Sequence, residues 1–269
     1  MSFQFSIFDA INEQSHEVVD SENTIFVATW NLANPSLERA REQWGWLSSL
    51  GANILILSEI KVSQGCDYLQ YQLQEAGYSV FNETTSTDNY GVIVAVKGFD
   101  CKRMDLGLNY LKSRVVGVEI DTFLGNVGIV GLYVPSRGSK EMRNVEKSNF
   151  QKQISDFLQK HTIDRLIIGG DLNVIPRNHV PFYSVFGEWE YSFYDDFRKA
   201  KLVDAFIHST LDKNPDHTWF SKDGNGFRFD FLFVSETILN NLNHSEHIHE
   251  PRISKLSDHS VVTLRLDKT

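Results

Sequence analysis

The chain carries only two cysteines in 269 residues, Cys66 and Cys101. Two thiols build neither a disulfide framework nor a zinc site, and a reducing cytoplasm is the simplest setting for such a chain. Long hydrophobic runs are also lacking. No stretch approaches the roughly 20 apolar residues of a membrane-spanning helix, so no membrane association is expected. Basic residues are missing from the start: positions 1–24 hold Asp9, Glu13, Glu17, Asp20 and Glu22 but no lysine or arginine. A secretory signal needs a basic segment followed by an apolar one, which this acidic stretch is not. Six prolines and 17 glycines nowhere gather with serine into a linker, and no repeat or low-complexity tract divides the chain. These absences imply one domain over 25–269 behind an acidic extension, 1–24, with no obligate protein partner expected.

What is present is an ordinary globular composition, 41% hydrophobic and 23% charged, at a length that supports a sizeable core. The net charge of -9 argues against a polyanionic partner at first sight. Its distribution weakens that argument. The acids of residues 1–24 and four strand-end carboxylates introduced below carry the whole excess. Two stretches are locally basic: Lys97, Lys102, Arg103, Lys112 and Arg114, then Arg137, Lys140, Arg143, Lys147 and Lys152. They read either as a phosphate-facing surface or as a solvated face of mixed charge.

Short β-branched runs recur from end to end: Ile25–Trp30, Ile54–Leu57, Val92–Val96, Val115–Ile120, Val127–Val134, Leu166–Ile168, Phe229–Val234 and Val261–Leu266. Their length and composition predict buried strands. Leu37, Ala40, Trp44 and Leu47 recur at helical steps behind Ser36, a suitable N-cap. Leu69, Leu73 and Ala76 do the same, with Gly77 as the stop. A third helix is expected over 141–161, with Ile154, Phe157 and Leu158 inward. Many strands with interspersed helices suggest a sheet core flanked by helices.

Several strands end abruptly in a carboxylate, amide or histidine. The first ends Thr29-Trp-Asn31, the second Leu57-Ser-Glu59, and a middle one Tyr133-Val-Pro-Ser-Arg137. Others run Gly169-Gly-Asp171-Leu-Asn173, Gly226-Phe-Arg-Phe-Asp230 and Ser257-Asp258-His259. Singly, each has a bland reading as a turn or cap residue. Together, three or four carboxylates with two amides make a hard, oxygen-rich site suited to Mg²⁺ or Mn²⁺. His259 beside acids offers a charged donor for a phosphate oxygen. Such a set fits hydrolysis at phosphorus.

The ordered motifs TWN, LSE with Lys61 two residues on, YVPS, GGDLN, TWF, GFRFD and SDH resemble the endonuclease/exonuclease/phosphatase superfamily from about residue 25 to 266. The TW…GxRxDxxxVS stretch is similar to its exonuclease III and apurinic-endonuclease branch. The resemblance implies a four-layer α/β sandwich, two packed mixed β-sheets flanked by helices, with the site at one end. It implies a Mg²⁺-dependent (or Mn²⁺-dependent) phosphodiesterase whose partner is nucleic acid, DNA first. By the same resemblance Glu59 is the principal metal ligand, with Asn31 and Asp258 close by. Asp171 positions or deprotonates the attacking water and Asn173 orients it. His259, paired with Asp230, binds the scissile phosphate, and Tyr133 contacts that phosphate or assists the leaving group. Arg137, Arg228, Trp219, Phe227 and Phe229 are expected to contact substrate. Alternation in a strand would put Phe227 and Phe229 on one face and Arg228 and Asp230 on the other. The aromatics read either as core or as the lining of a pocket for a sugar lacking its base.

Two positions depart from the family pattern. Ala33 stands where an acid or amide is common, and Ser136 follows Pro135 where asparagine is common. Both leave substrate class open among DNA, RNA and a small phosphoester such as an inositol phosphate. A binding protein on the same scaffold is the third reading.

Overall fold

The computed structural model describes residues 20–210 and 216–269, so most of the expected extension 1–24 lies outside the described residues. The first half contains β1 (Thr24–Asn31), α1 (Leu37–Leu50), β2 (Ile54–Ile60), α2 (Gln64–Glu75), β3 (Ser79–Asn82) and β4 (Gly91–Val96). Next come β5 (Cys101–Arg103), β6 (Val115–Thr122), β7 (Gly125–Tyr133), α3 (Glu141–Lys160), β8 (Leu166–Asp171), α4 (Glu188–Lys199), β9 (Leu202–Asp204) and α5 (Ala205–Ser209). The last part holds β10 (Trp219–Phe220), β11 (Gly226–Phe227), β12 (Asp230–Ser235), β13 (Leu242–Ile248), α6 (Glu250–Ile253) and β14 (Val261–Asp267).

Local signals set these boundaries. Ser36 Oγ accepts the Arg39 N–H at 3.3 Å to cap α1, and Ser63 does the same for Cys66 at the start of α2. Gly77, with φ of 88°, turns the chain out of α2 in the left-handed conformation that glycine adopts without strain. The shortest strands and α4 to α6 were not expected from sequence. β13 is the clearest case: Leu242-Asn-His-Ser-Glu-His-Ile248 buries Ser245 and His247 rather than apolar residues.

Two six-stranded sheets form, ordered β13-β14-β1-β2-β4-β3 and β5-β6-β7-β8-β12-β9. They share one plan. In the first, β1 lies parallel to β2 and antiparallel to β14. In the second, β8 lies parallel to β7 and antiparallel to β12. The sheets pack face to face over Ile25, Val27, Ile54, Ile56, Val92, Val94, Val118, Ile129, Ile167 and Leu232. Helices α1 and α2 cover the outer face of the first sheet through Ala40, Leu47, Leu69 and Leu73. Helices α3 and α4 cover the second through Phe150, Ile154, Leu158, Phe193 and Phe197. This is the expected four-layer α/β sandwich. The sheets meet closely at Gly131, where an added Cβ would fall 2.8 Å from Val94 Cγ2 and 3.0 Å from Ile56 Cγ2.

Candidate active site

The shared plan brings the C-terminal ends of β1, β2, β7 and β8 to one edge, beside the starts of β12 and β14. Asn31 ends β1, Asp171 ends β8, and the Asn31 amide joins them. Its Nδ2 donates to Asp171 Oδ2 at 2.9 Å and to Glu59 Oε2 at 2.9 Å, while its Oδ1 accepts from the Ala33 N–H. The corresponding pair, His259 before β14 and Asp230 opening β12, meets through His259 Nδ1 and Asp230 Oδ2 at 2.8 Å. Asn173 closes the group, with its N–H on Asp171 Oδ1 at 2.9 Å and its Nδ2 on Asp171 Oδ2 at 3.1 Å. Glu59 and Asn173 hold φ values of 58° and 49°, a left-handed backbone that costs a side-chain-bearing residue about 1 kcal/mol or more. Glu59 sits at an irregularity in the β2–β4 pairing between Ser58 and Ile60.

The electrostatics follow from burial. Asp171 and Asp230 are directly opposite each other across β8 and β12, and both are buried. Burial pushes the Asp171 carboxyl well above the usual carboxylate range, and the facing Asp230 charge pushes it further. Burial opposes charge on His259, but Asp230, with Asp171 and Asp258 beyond it, outweighs that and holds the imidazole protonated. Burial raises Tyr133, and the Glu59 and Asp171 charges raise it more, so its phenol stays a hydrogen-bond donor.

Residues not singled out from sequence hold this group in place. Ser257 donates to the Asn31 carbonyl at 2.6 Å and accepts the His259 N–H. Thr218 Oγ accepts the N–H groups of Phe229 and Asp230. Trp30 donates its indole N–H to the His259 carbonyl at 3.1 Å. The quoted motifs SDH, TWF and TWN contain all three residues, but side chains aimed at backbone groups leave no distinctive pattern. Arg114 stacks over Tyr133 at 4.6 Å and over Tyr90 at 5.8 Å.

Several expected substrate contacts are placed elsewhere. Arg228 is buried, ion-paired to Asp204 at 2.8 Å and stacked over Phe231 at 4.5 Å. It is a packed core cation, not a substrate ligand. The alternation that would have paired it with Asp230 fails because β11 ends at Phe227 and β12 begins at Asp230. Lys147, from the second basic stretch, is fully buried, bonding Glu190 and the Asn173 carbonyl at 2.7 Å. Arg137 also pairs with Glu190, so its charge is already engaged. Phe227 and Phe229 do share a face, their rings stacked 5.1 Å apart, and both pack with Ile175, Tyr183, Phe186 and Tyr191. Trp219 lies at the rim of this cluster, with its indole N–H on Asp258 Oδ2 at 2.9 Å. Asp258 itself is exposed.

A hard cation fits these residues. Asp230, Asp171 and Asp258 act on one imidazolium, and Asp230 Oδ1 is buried without a partner in the described structure. Donor atoms of Asp171, Asp230 and His259 lie within 4.8 Å of one another. An imidazole held protonated is a donor rather than a ligand, however, so the carboxylates are the groups able to hold a cation here.

The fold and the cluster define a four-layer α/β sandwich with a carboxylate, amide and histidine group where its two sheets meet. No family model matches the chain, and no curated protein matches it in sequence. Solved structures match it in fold. The 3′ phosphatase NExo from Neisseria, bound to a product DNA hairpin, superposes with a TM-score of 0.73 at 18% identity, covering 91% of this chain and all of that one. An AP endonuclease from Archaeoglobus fulgidus gives 0.71 at 18% identity, with 91% of this chain and all of the other covered. The AP endonuclease LMAP from Leishmania major gives 0.73 at 16% identity over 99% of this chain and 97% of the other. At these identities the likeness establishes the shared fold. Among the described residues, no helix is long and apolar enough to cross a membrane.

Proposed function

We propose that this protein is a metal-dependent phosphodiesterase acting on DNA, in the manner of the exonucleases and AP endonucleases whose fold it shares. The observation that carries this reading is the buried Asp230–His259 pair beside the raised carboxyl of Asp171. It sets a phosphate-binding cation next to a group that can take a proton near neutral pH.

Glu59 would hold Mg²⁺ or Mn²⁺ with Asn31 and Asp258 close by, and the ion would supply charge neutralisation at the phosphate oxygens. Asp171 positions or deprotonates the attacking water, and Asn173 fixes the carboxylate that does so. The water oxygen bonds to phosphorus, the bond to the leaving oxygen breaks, and that oxygen takes up a proton. Protonated His259 donates from Nε2 to a non-bridging phosphate oxygen while Asp230 holds its Nδ1. Tyr133 donates its phenol proton toward the phosphate or the leaving oxygen. The deciding assay uses purified protein with Mg²⁺ on abasic duplex, intact duplex, single-stranded DNA, RNA and inositol phosphates. Cleavage of DNA is expected; turnover confined to RNA or inositol phosphates overturns the DNA assignment. That second reading draws on the net charge of -9 and on the engagement of Arg137 and Lys147 within the protein.

A further inference from the structure

A cleft of about 460 Å³ is lined by Ala33, Arg39, Phe220, Arg252, Lys255, Ser257 and Asp258, the last of these next in the chain to His259. Three cations border it against one carboxylate, and none of the three forms an ion pair with a described residue. Arg252 is held in place from two sides. Its Nε–H donates to Ser260 Oγ at 3.0 Å, and its guanidinium lies 4.5 Å over the ring of Phe220. Ser260 is itself fixed by His249, whose other ring nitrogen is 3.0 Å from Asp216. The terminal amino groups of Arg252 bond to no described residue, so a positioned guanidinium is left with open donors. Arg39 donates one amino group to the Ala33 carbonyl at 2.6 Å, while its Nε is buried without a described partner. Lys255 sits exposed with φ of 65°, a left-handed conformation that is strained for lysine.

We infer that this cleft is a second phosphate subsite, taking the phosphate one nucleotide away from the scissile phosphate, with Arg252 and Lys255 as its principal ligands and Phe220 beside the intervening sugar or base. This rests on the phosphodiesterase reading, because Asp258 forms the wall shared by the cleft and the carboxylate group. A planar guanidinium with one edge tethered and another free suits bidentate phosphate recognition. The subsite makes the substrate at least a dinucleotide and disfavours inositol phosphates that lack a second phosphate at this spacing.

The test compares binding of thymidine 5′-monophosphate with that of thymidine 3′,5′-bisphosphate by calorimetry, using the full chain with Mg²⁺. The bisphosphate should bind at least about tenfold more tightly, the gain from one charge-assisted contact set. Arg252→Gln with Lys255→Gln should remove most of that gain, while Lys160→Gln at the far end of α3 serves as the control and should retain it. An equal affinity for the two ligands in wild type, or a gain that survives the double variant, overturns the subsite. A bisphosphate gain that responds to the variants in a protein hydrolysing no phosphodiester keeps the subsite and removes the catalytic reading instead.

Discussion

The two six-stranded sheets follow one plan of strand directions, yet they bring different chemistry to the edge where they meet. The first contributes Asn31, Glu59, Asp258 and His259, of which Asp258 is exposed and Glu59 part-buried on a left-handed backbone. The second contributes Tyr133, Asp171 and Asp230, all buried. Corresponding positions pair across the interface, Asn31 with Asp171 and His259 with Asp230. Neither sheet carries a working group alone. The second holds two facing carboxylates, and the amide and imidazolium of the first join Asn173 in relieving their repulsion.

The largest effect that sharpens this contrast is removal of the cation. Activity should vanish in excess EDTA and return with Mg²⁺ or Mn²⁺, and full activity in chelator would end the mechanism. Next is Asp171→Asn, which should lower kcat by about 10²–10⁴-fold. A group whose folded-state pKa is raised is most stabilising when protonated at low pH and loses that contribution as pH rises through its folded value. In chelator, the melting temperature of the Asn variant relative to wild type should therefore rise as pH climbs from 4 toward neutrality. A constant offset would mean that burial and the facing Asp230 charge do not raise the Asp171 carboxyl.

His259→Ala should cost about 10²–10³-fold in kcat, and Asp230→Asn a comparable amount. The double variant should be little worse than either, because the pair acts as a unit. Additive losses would refute the cross-sheet pairing. Gly131→Ala should cost about 1–3 kcal/mol of stability by forcing a methyl between the sheets. Because the Asn31–Asp171 and His259–Asp230 hydrogen bonds cross that interface, activity at temperatures well below melting should fall too; unchanged turnover would uncouple the site from sheet spacing. The smallest change is expected for Trp219→Ala. If the aromatic rim admits an abasic sugar, the preference for abasic over intact duplex narrows several-fold. Equal loss on both substrates, tracking the melting temperature, would return the rim to the core.

Much of the protein was legible from local pattern. All eight expected strands formed within a few residues of their predicted limits, and the caps at Ser36 and Gly77 fell where expected. Strand period and capping act over a few neighbouring residues, so the sequence alone determines them. The polar strand ends were also visible, since a carboxylate closing an apolar run is a local anomaly. What it touches is not local. Asp230 reaches His259 across 29 residues, Asn31 reaches Asp171 across 140, and Lys147 is drawn inward by Glu190, 43 residues away. Arg228 lies two residues from Asp230 yet turns to Asp204, because the chain leaves the sheet between Phe227 and Asp230. Which charges are engaged within the protein and which remain free for a ligand depends on those long-range partners, and only the packing of the two sheets and their helices decided them.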